Sequence, residues 1–192
     1  VSFLDTDKTD NFALMLYFLT PYSLDGNLGK AYNKCMELLP NDDDWACLTD
    51  GDILFLDNTY GQHIQECITR YPDTQLFTCV TNRVGKKKQL HQGHFSDVSD
   101  IKVHRRLAIS LKKELSTDSA IIKAPLSGYL LVIQKKTWKK LRFTETKKQL
   151  GVDDDFTKRL QANGGKMRIM MGLYVFHYYR LLEGKNHKQH LK

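Results

Sequence analysis

The sequence predicts an α/β domain, a mixed, mainly parallel sheet flanked by helices. Three observations predict it. Short runs that are apolar on both faces, above all Trp45-Ala46-Cys47-Leu48-Thr49, suit strands buried on both sides, as in parallel sheets. Other segments carry apolar residues at i, i+3, i+4 and i+7, the helical period. The two kinds of segment alternate along 192 residues, enough for one core and too few for two.

Residues 1–11 are polar and acidic and read as a loose leader; residues 12–180 hold the domain, and residues 181–192 form a basic tail. Residues 13–20 predict the first strand, which Pro21-Tyr22-Ser23 and Asp25-Gly26 stop. Leu28, Ala31, Tyr32, Cys35, Met36 and Leu39 then keep the helical period, with Asn27 as N-cap and Pro40 beyond the end. The acidic loop Asn41-Asp42-Asp43-Asp44 leads into the strand at 45–49. Residues 58–71 predict a helix that buries Ile64, Cys67 and Ile68, and residues 76–80 a strand. Residues 81–99 are irregular, and a loop of that length in a compact domain is usually functional or mobile. Val103, Leu107, Ala108, Leu111 and Leu115 mark a helix whose other face carries Lys102, Arg105, Arg106, Lys112 and Lys113. A strand at 128–134 and a helical turn at 137–141 follow. Asp153-Asp154-Asp155-Phe156 opens a helix that Gly164-Gly165 closes, and residues 166–176 form the last strand.

A hydrophobic content of 41% against 27% charged residues describes a soluble globular chain. Its longest apolar run, residues 12–19, is far too short to cross a bilayer, and no secretory signal pattern is visible. Cys35, Cys47, Cys67 and Cys79 each sit in an apolar pattern without a Cys-x-x-Cys pair, which predicts buried thiols in a reducing compartment rather than zinc. The net charge of +7 conceals a polarity: residues 1–100 carry −7 and residues 101–192 carry +14. Such asymmetry predicts a basic face for phosphate, nucleic acid or an anionic membrane surface, formed by Lys86 to Lys88, Arg105, Arg106 and the lysines of 135–148.

The chemistry concentrates at the ends of elements. A parallel strand at 45–49 delivers Asp50 and Asp52 together to the rim of the sheet, where open α/β sheets bind ligands. Two acids one residue apart can share a hard cation, and Gly51 lets a ligand approach closely. The ordinary alternative is an acidic turn. Asp153 recurs at a helix start, where acids also complement the helix dipole, and His177 follows the last strand. His63, His91, His94 and His104 show no metal-ligand spacing, and no thiol has an evident base beside it.

Asn27-Leu28-Gly29-Lys30-Ala31-Tyr32-Asn33 resembles the Asn-x-Gly-(x)3-Asn segment of inverting family-2 glycosyltransferases, which have the Rossmann-like GT-A fold. Asp50-Gly51-Asp52 resembles their metal-binding DXD motif. Gly151-Val152-Asp153-Asp154-Asp155-Phe156-Thr157-Lys158-Arg159-Leu160 resembles their Gly-Glu-Asp-x-Asp-Leu-(x)2-Arg segment, with Val152 in place of the Glu. These segments keep the family's order over residues 14–180. The resemblance implies a GT-A-like domain whose N-terminal half is shortened, since the Pro21 to Gly26 loop stands where the family has two βα units. It implies that Asp52 binds manganese or magnesium, that Asp50 lies near ribose and metal, and that His177 completes the metal site. Asp153 would be the catalytic base. Thr20, Pro21, Tyr22 and Ser23 would form the base pocket, and Asn27, Lys30 and Asn33 would belong to the nucleotide-sugar site. Asp155 would orient the helix start or meet the acceptor, and Arg159 would pair with a carboxylate of its own helix.

The implied activity is hexosyl transfer from a nucleotide-sugar to a saccharide or glycolipid in polysaccharide or glycolipid synthesis. Its place would be the cytoplasm or the inner face of a membrane, with peripheral contact to anionic lipid. The rival expectation is a nucleic-acid-binding protein or a metal-dependent phosphodiesterase using the same acids and the basic half. That reading gives no reason for residues 27–33, so nucleic acid is not the expected partner. A transferase that has lost catalysis is the third alternative.

Overall fold

In the computed structural model, residues 14–147 and 149–181 are described; the leader at 1–11, Lys148 and the tail beyond Leu181 lie outside them. Among the described residues seven strands and five α-helices follow one another as β1 (Leu16–Leu19), α1 (Leu28–Glu37), β2 (Trp45–Thr49), β3 (Ile53–Phe55), α2 (Tyr60–Arg70), β4 (Leu76–Thr81), α3 (Ile101–Leu115), β5 (Ser119–Ile121), β6 (Leu130–Gln134), α4 (Lys135–Leu141), α5 (Val152–Ala162) and β7 (Met167–His177). The sheet runs in the order β1-β2-β6-β4-β7-β3, with β5 also on β7. β1, β2, β4 and β7 share one direction, while β6, β3 and β5 run against them. The α/β class and the mixed open sheet of the sequence reading are present.

β2 and β6 explain why apolar runs were legible as strands. Ala46, Leu48, Leu131 and Ile133 point to one face of the sheet, where α1, α3, α4 and α5 pack. Trp45, Cys47, Leu130 and Val132 point to the other, which Ile64, Cys67 and Ile68 of α2 cover. Both faces are dry, so neither strand shows a polar alternation. All four cysteines are free, and Cys47, Cys67 and Cys79 are buried.

β5 escapes a sequence reading, whereas β3 falls on the apolar run Ile53-Leu54-Phe55-Leu56 that follows Asp52. Each has three residues, and each exists because β7 is long enough to pair with both: Ser119 to Ile121 lie against Arg168 to Met170, and Ile53 to Phe55 against Val175 to His177. The 81–99 loop is fastened rather than loose. The buried Gln89 donates to Thr78 Oγ1 and Ser127 C=O, each at 3.1 Å, and accepts from Ser127 N–H at 2.8 Å. Lys86, expected on the basic face, reaches Asp154 at 3.0 Å.

This topology sets the site. β2 and β3 are consecutive in the chain but far apart in the sheet, so the turn between them passes over the carboxyl ends of the parallel strands. Asp50 N–H donates to Tyr129 C=O just before β6, and Tyr178 N–H just after β7 donates to Asp52 C=O, both at 2.9 Å. The two acids are thereby held at the rim.

Candidate metal centre

Asp50, Asp52 and His177 each offer a ligand atom, and those atoms lie within 4.8 Å of one another. His177 Nε2 is 3.2 Å from Asp52 Oδ1 and 3.8 Å from Asp50 Oδ2; the imidazole is buried while both carboxylates are half-exposed. The ring is fixed from behind. Its Nδ1 lies 2.8 Å from the Arg83 carbonyl, which can only accept, so Nδ1 carries the hydrogen and Nε2 is left facing the acids. Outer hydrogen bonds of this kind orient metal-binding histidines. The His177 backbone N–H donates to Asn82 Oδ1 at 2.7 Å, and the ring stacks on Tyr129 at 5.3 Å.

Arg83 braces this arrangement. Its side chain is wholly buried and donates to the carbonyls of Tyr179, at 3.0 Å, and Arg180, at 3.3 Å, which follow β7. It also reaches Ser96 C=O at 3.1 Å and pairs with Asp97 at 2.7 Å. The guanidinium ties the segment after β7 to the loop after β4, and the carbonyl of the same residue orients His177.

Asp153 joins from α5. Gly128 N–H donates to its Oδ2 at 2.7 Å and Asp154 N–H to its Oδ1 at 2.9 Å. Gly128 is required there: a Cβ at that position would come within 2.9 Å of the Tyr32 hydroxyl and 3.1 Å of Asp153 Cβ. Burial is the main cause that raises the Asp153 carboxyl, with the two N–H groups pulling back. Burial also pushes Asp50 up to about 6; the His177 ring opposes this, while the charges of Asp52 and Asp153 add to it. Asp153 is held by Gly128 and Asp50 by Tyr129, so neighbouring residues of one segment fasten both acids. Burial acts on Asp52 as well, but hydrogen bonding and charge from His177 outweigh it and hold that carboxyl below its usual range. Two carboxylates and one imidazole, mostly oxygen donors, match the preference of a hard divalent cation.

The other expected site residues divide. Tyr22, Ser23 and Lys30 line a cleft of about 330 Å³ together with Asp25, Ala31 and Lys34. Thr20 Oγ1 touches Thr49 Oγ1 at 3.2 Å, next to Asp50, and Pro21 follows it half-buried. Asn27 and Asn33 serve the fold. Asn27 Oδ1 caps α1 by accepting from Lys30 N–H at 3.0 Å, and its Nδ2 donates to Glu145 C=O at 2.8 Å. Asn33 is buried; its Nδ2 donates to Phe143 C=O and Glu145 Oε1, and its Oδ1 accepts from Trp138 Nε1 and Phe143 N–H. That amide has no capacity left for a ligand. Asp155 accepts from Thr144 Oγ1 at 2.6 Å, and Arg159 pairs with it at 2.9 Å, as expected of a carboxylate on the same helix.

Gly128, Arg83 and Asn82 were missed. The available signals were a glycine just ahead of a strand and polar residues directly after the buried strand β4. Among the described residues no helix is long and apolar enough to cross a membrane. Comparison of the chain with models of known protein families and with curated protein sequences returns no match.

Proposed function

We propose that the chain is a metal-dependent inverting glycosyltransferase of the GT-A type, moving a sugar from a nucleotide-sugar to an acceptor hydroxyl. One observation carries this reading. Asp50, Asp52 and His177 converge at the carboxyl ends of the parallel strands, and the Asp153 carboxylate is held by Gly128, next to the Tyr129 carbonyl that holds Asp50. The order of the three segments that resemble the family supports it, as does the mixed sheet.

A divalent cation held by Asp50, Asp52 and His177 would take up the charge that builds on the leaving diphosphate. Asp153 takes the proton of the acceptor hydroxyl as that oxygen attacks the anomeric carbon. The bond from that carbon to the phosphate oxygen breaks with its electron pair, and the carbon inverts. A raised carboxyl makes Asp153 a stronger base, and two backbone N–H groups keep its charged form oriented. The nucleoside would lie in the cleft beside Tyr22, Ser23 and Lys30.

Thermal-shift measurements with UDP and GDP in manganese, magnesium or EDTA test the proposal. Stabilisation is expected only with metal, and Asp52→Ala should abolish it. Asp153→Asn should keep the shift yet slow sugar transfer by about 100- to 10,000-fold. Equal stabilisation in EDTA would sink the metal role. Cleavage of a phosphodiester without any nucleotide shift would favour a metal-dependent phosphodiesterase instead.

A further inference from the structure

α3 has two stripes of opposite character. His104, Ala108 and Leu111 follow the helical period and are buried. Lys102, Arg106, Ile109 and Lys113 keep the same period on the opposite side and are all exposed. The three cations of that outer stripe, and the exposed Arg105 beside them, form no ion pair among the described residues. Nearby acids are engaged elsewhere. Asp57 holds Lys112 at the edge of the stripe, and Glu114, the one acid within α3, accepts from Ser110 Oγ at 2.6 Å. Asp100 caps the helix by accepting from Lys102 N–H at 2.8 Å.

Ile109 stands in the middle of these cations. It is 55% exposed, and its nearest neighbours along the helix surface, at i−4, i−3 and i+4, are Arg105, Arg106 and Lys113. Ile101 and Val103 on the first turn, and Val98 just before it, are exposed as well. The two kinds of side chain ask for different surroundings: the cations for anions, the branched aliphatic groups for a place out of water.

An anionic bilayer supplies both within a short depth, charged headgroups at the surface and acyl chains beneath. Arginine and lysine stems are long enough to keep their charged ends among the headgroups while an isoleucine between them reaches the acyl boundary. Clusters of about four to eight basic residues on a helix are of the size that binds anionic lipid, and α3 offers four free ones. A nucleic acid also offers phosphates, but it has little for the isoleucine, and the stripe carries no aromatic ring on which a base could stack.

We propose that the outer stripe of α3 docks on an anionic lipid bilayer, with Lys102, Arg105, Arg106 and Lys113 on the headgroups and Ile109 in the acyl boundary. This inference stands on the stripe and not on the transferase reading. Co-sedimentation with vesicles tests it. The protein should bind phosphatidylcholine vesicles that contain phosphatidylserine and not pure phosphatidylcholine, and added sodium chloride should release it. Arg105→Gln with Arg106→Gln should weaken binding about 25-fold, at about fivefold for each cation removed. Lys136→Gln with Lys139→Gln lowers the net charge equally, but those lysines already pair with Asp43 and Asp42, so binding should hardly change. Insertion has its own readout. Trp45 and Trp138 are buried, so Ile109→Trp adds the one exposed indole among the described residues, and its emission should shift to the blue on the phosphatidylserine vesicles. No binding to those vesicles, an equal loss in the two double variants, or an unshifted indole overturns the proposal. Tight binding to duplex DNA or RNA with none to vesicles overturns it too and gives the stripe to nucleic acid.

Discussion

His177 is held by two hydrogen bonds and the rings of Tyr129 and Tyr179, which leave only Nε2 for the two acids, and this makes the charge state of Asp50 the variable part of the centre. Asp50 has an ordinary value of 3.8, raised in the fold to about 6, burial first among the causes. Between those two values the folded chain binds more protons than the unfolded one. This group therefore makes folding less favourable as pH rises from 4 to 6. Asp50→Asn removes that dependence. In EDTA, the melting temperature of the variant should gain on the wild type as pH rises from 4 to 6 and keep its advantage above. A difference that stays constant from pH 4 to 8 would show that titration of Asp50 is not the cause. At this scale the acids and His177 were legible, because a carboxylate at the end of a buried strand stands out locally. Arg83 and Gly128 were not. Their roles are pairings with residues 94 and 25 positions away, which no local pattern announces.

Between residue and fold stands a clasp formed by residues 141–145. Asn27 and Asn33 of the α1 region bind Glu145 and Phe143, while Asp155 and Arg159 of α5 bind Thr144, Leu141 and Arg142. The Phe143 ring lies between Tyr32, at 4.6 Å, and Phe156, at 4.2 Å. The Asn-x-Gly-(x)3-Asn and Asp-Phe-(x)2-Arg segments, read in the sequence as site signatures, thus meet on one loop and fix α1 beside α5. That placement brings Tyr32, Gly128 and Asp153 together. The segments were legible; their partner was not, because 141–145 has no periodicity of its own. Gly29 gives the test. A Cβ there would meet Thr144 C=O at 2.1 Å, whereas at Gly61 in α2 it would meet only Phe18 at 3.6 Å. Gly29→Ala should destabilise by roughly 1–3 kcal/mol, a fall of about 2–12 °C in melting temperature. Gly61→Ala should be neutral or stabilising by up to about 1 kcal/mol, since alanine is the better helix former. Equal effects at both positions would remove the clasp from the explanation.

Across the whole molecule the sheet interleaves the two halves of the chain: β6 lies between β2 and β4, and β7 between β4 and β3. The element types were legible from period and burial, but this order was not, since it depends on pairings between strands far apart in sequence. The interleaving also changes the meaning of the charge polarity. Asp42 and Asp43 pair with Lys139 and Lys136, Glu37 with Arg142, Asp57 with Lys112 and Asp73 with Lys166, each an acid of the first half on a base of the second. Part of the basic face expected from the sequence is therefore covered by the chain's own acids. On α3, Lys102, Arg105, Arg106 and Lys113 form no ion pair among the described residues. The question is whether attraction between the halves holds the fold or merely decorates it. Magnitudes decide. Most of these pairs are about half-exposed, and exposed pairs contribute about 0–1 kcal/mol each. Both faces of the sheet, by contrast, bury continuous apolar clusters, at about 1.5–3 kcal/mol for each large side chain. Raising salt to 1 M shortens the screening length to about 3 Å and removes most of the charge term. The melting temperature should then fall by at most about 20 °C, at about 2–4 °C per kcal/mol for a chain of this size. A collapse of the fold in 1 M sodium chloride would mean that pairing between the halves, and not the two apolar clusters, carries its stability.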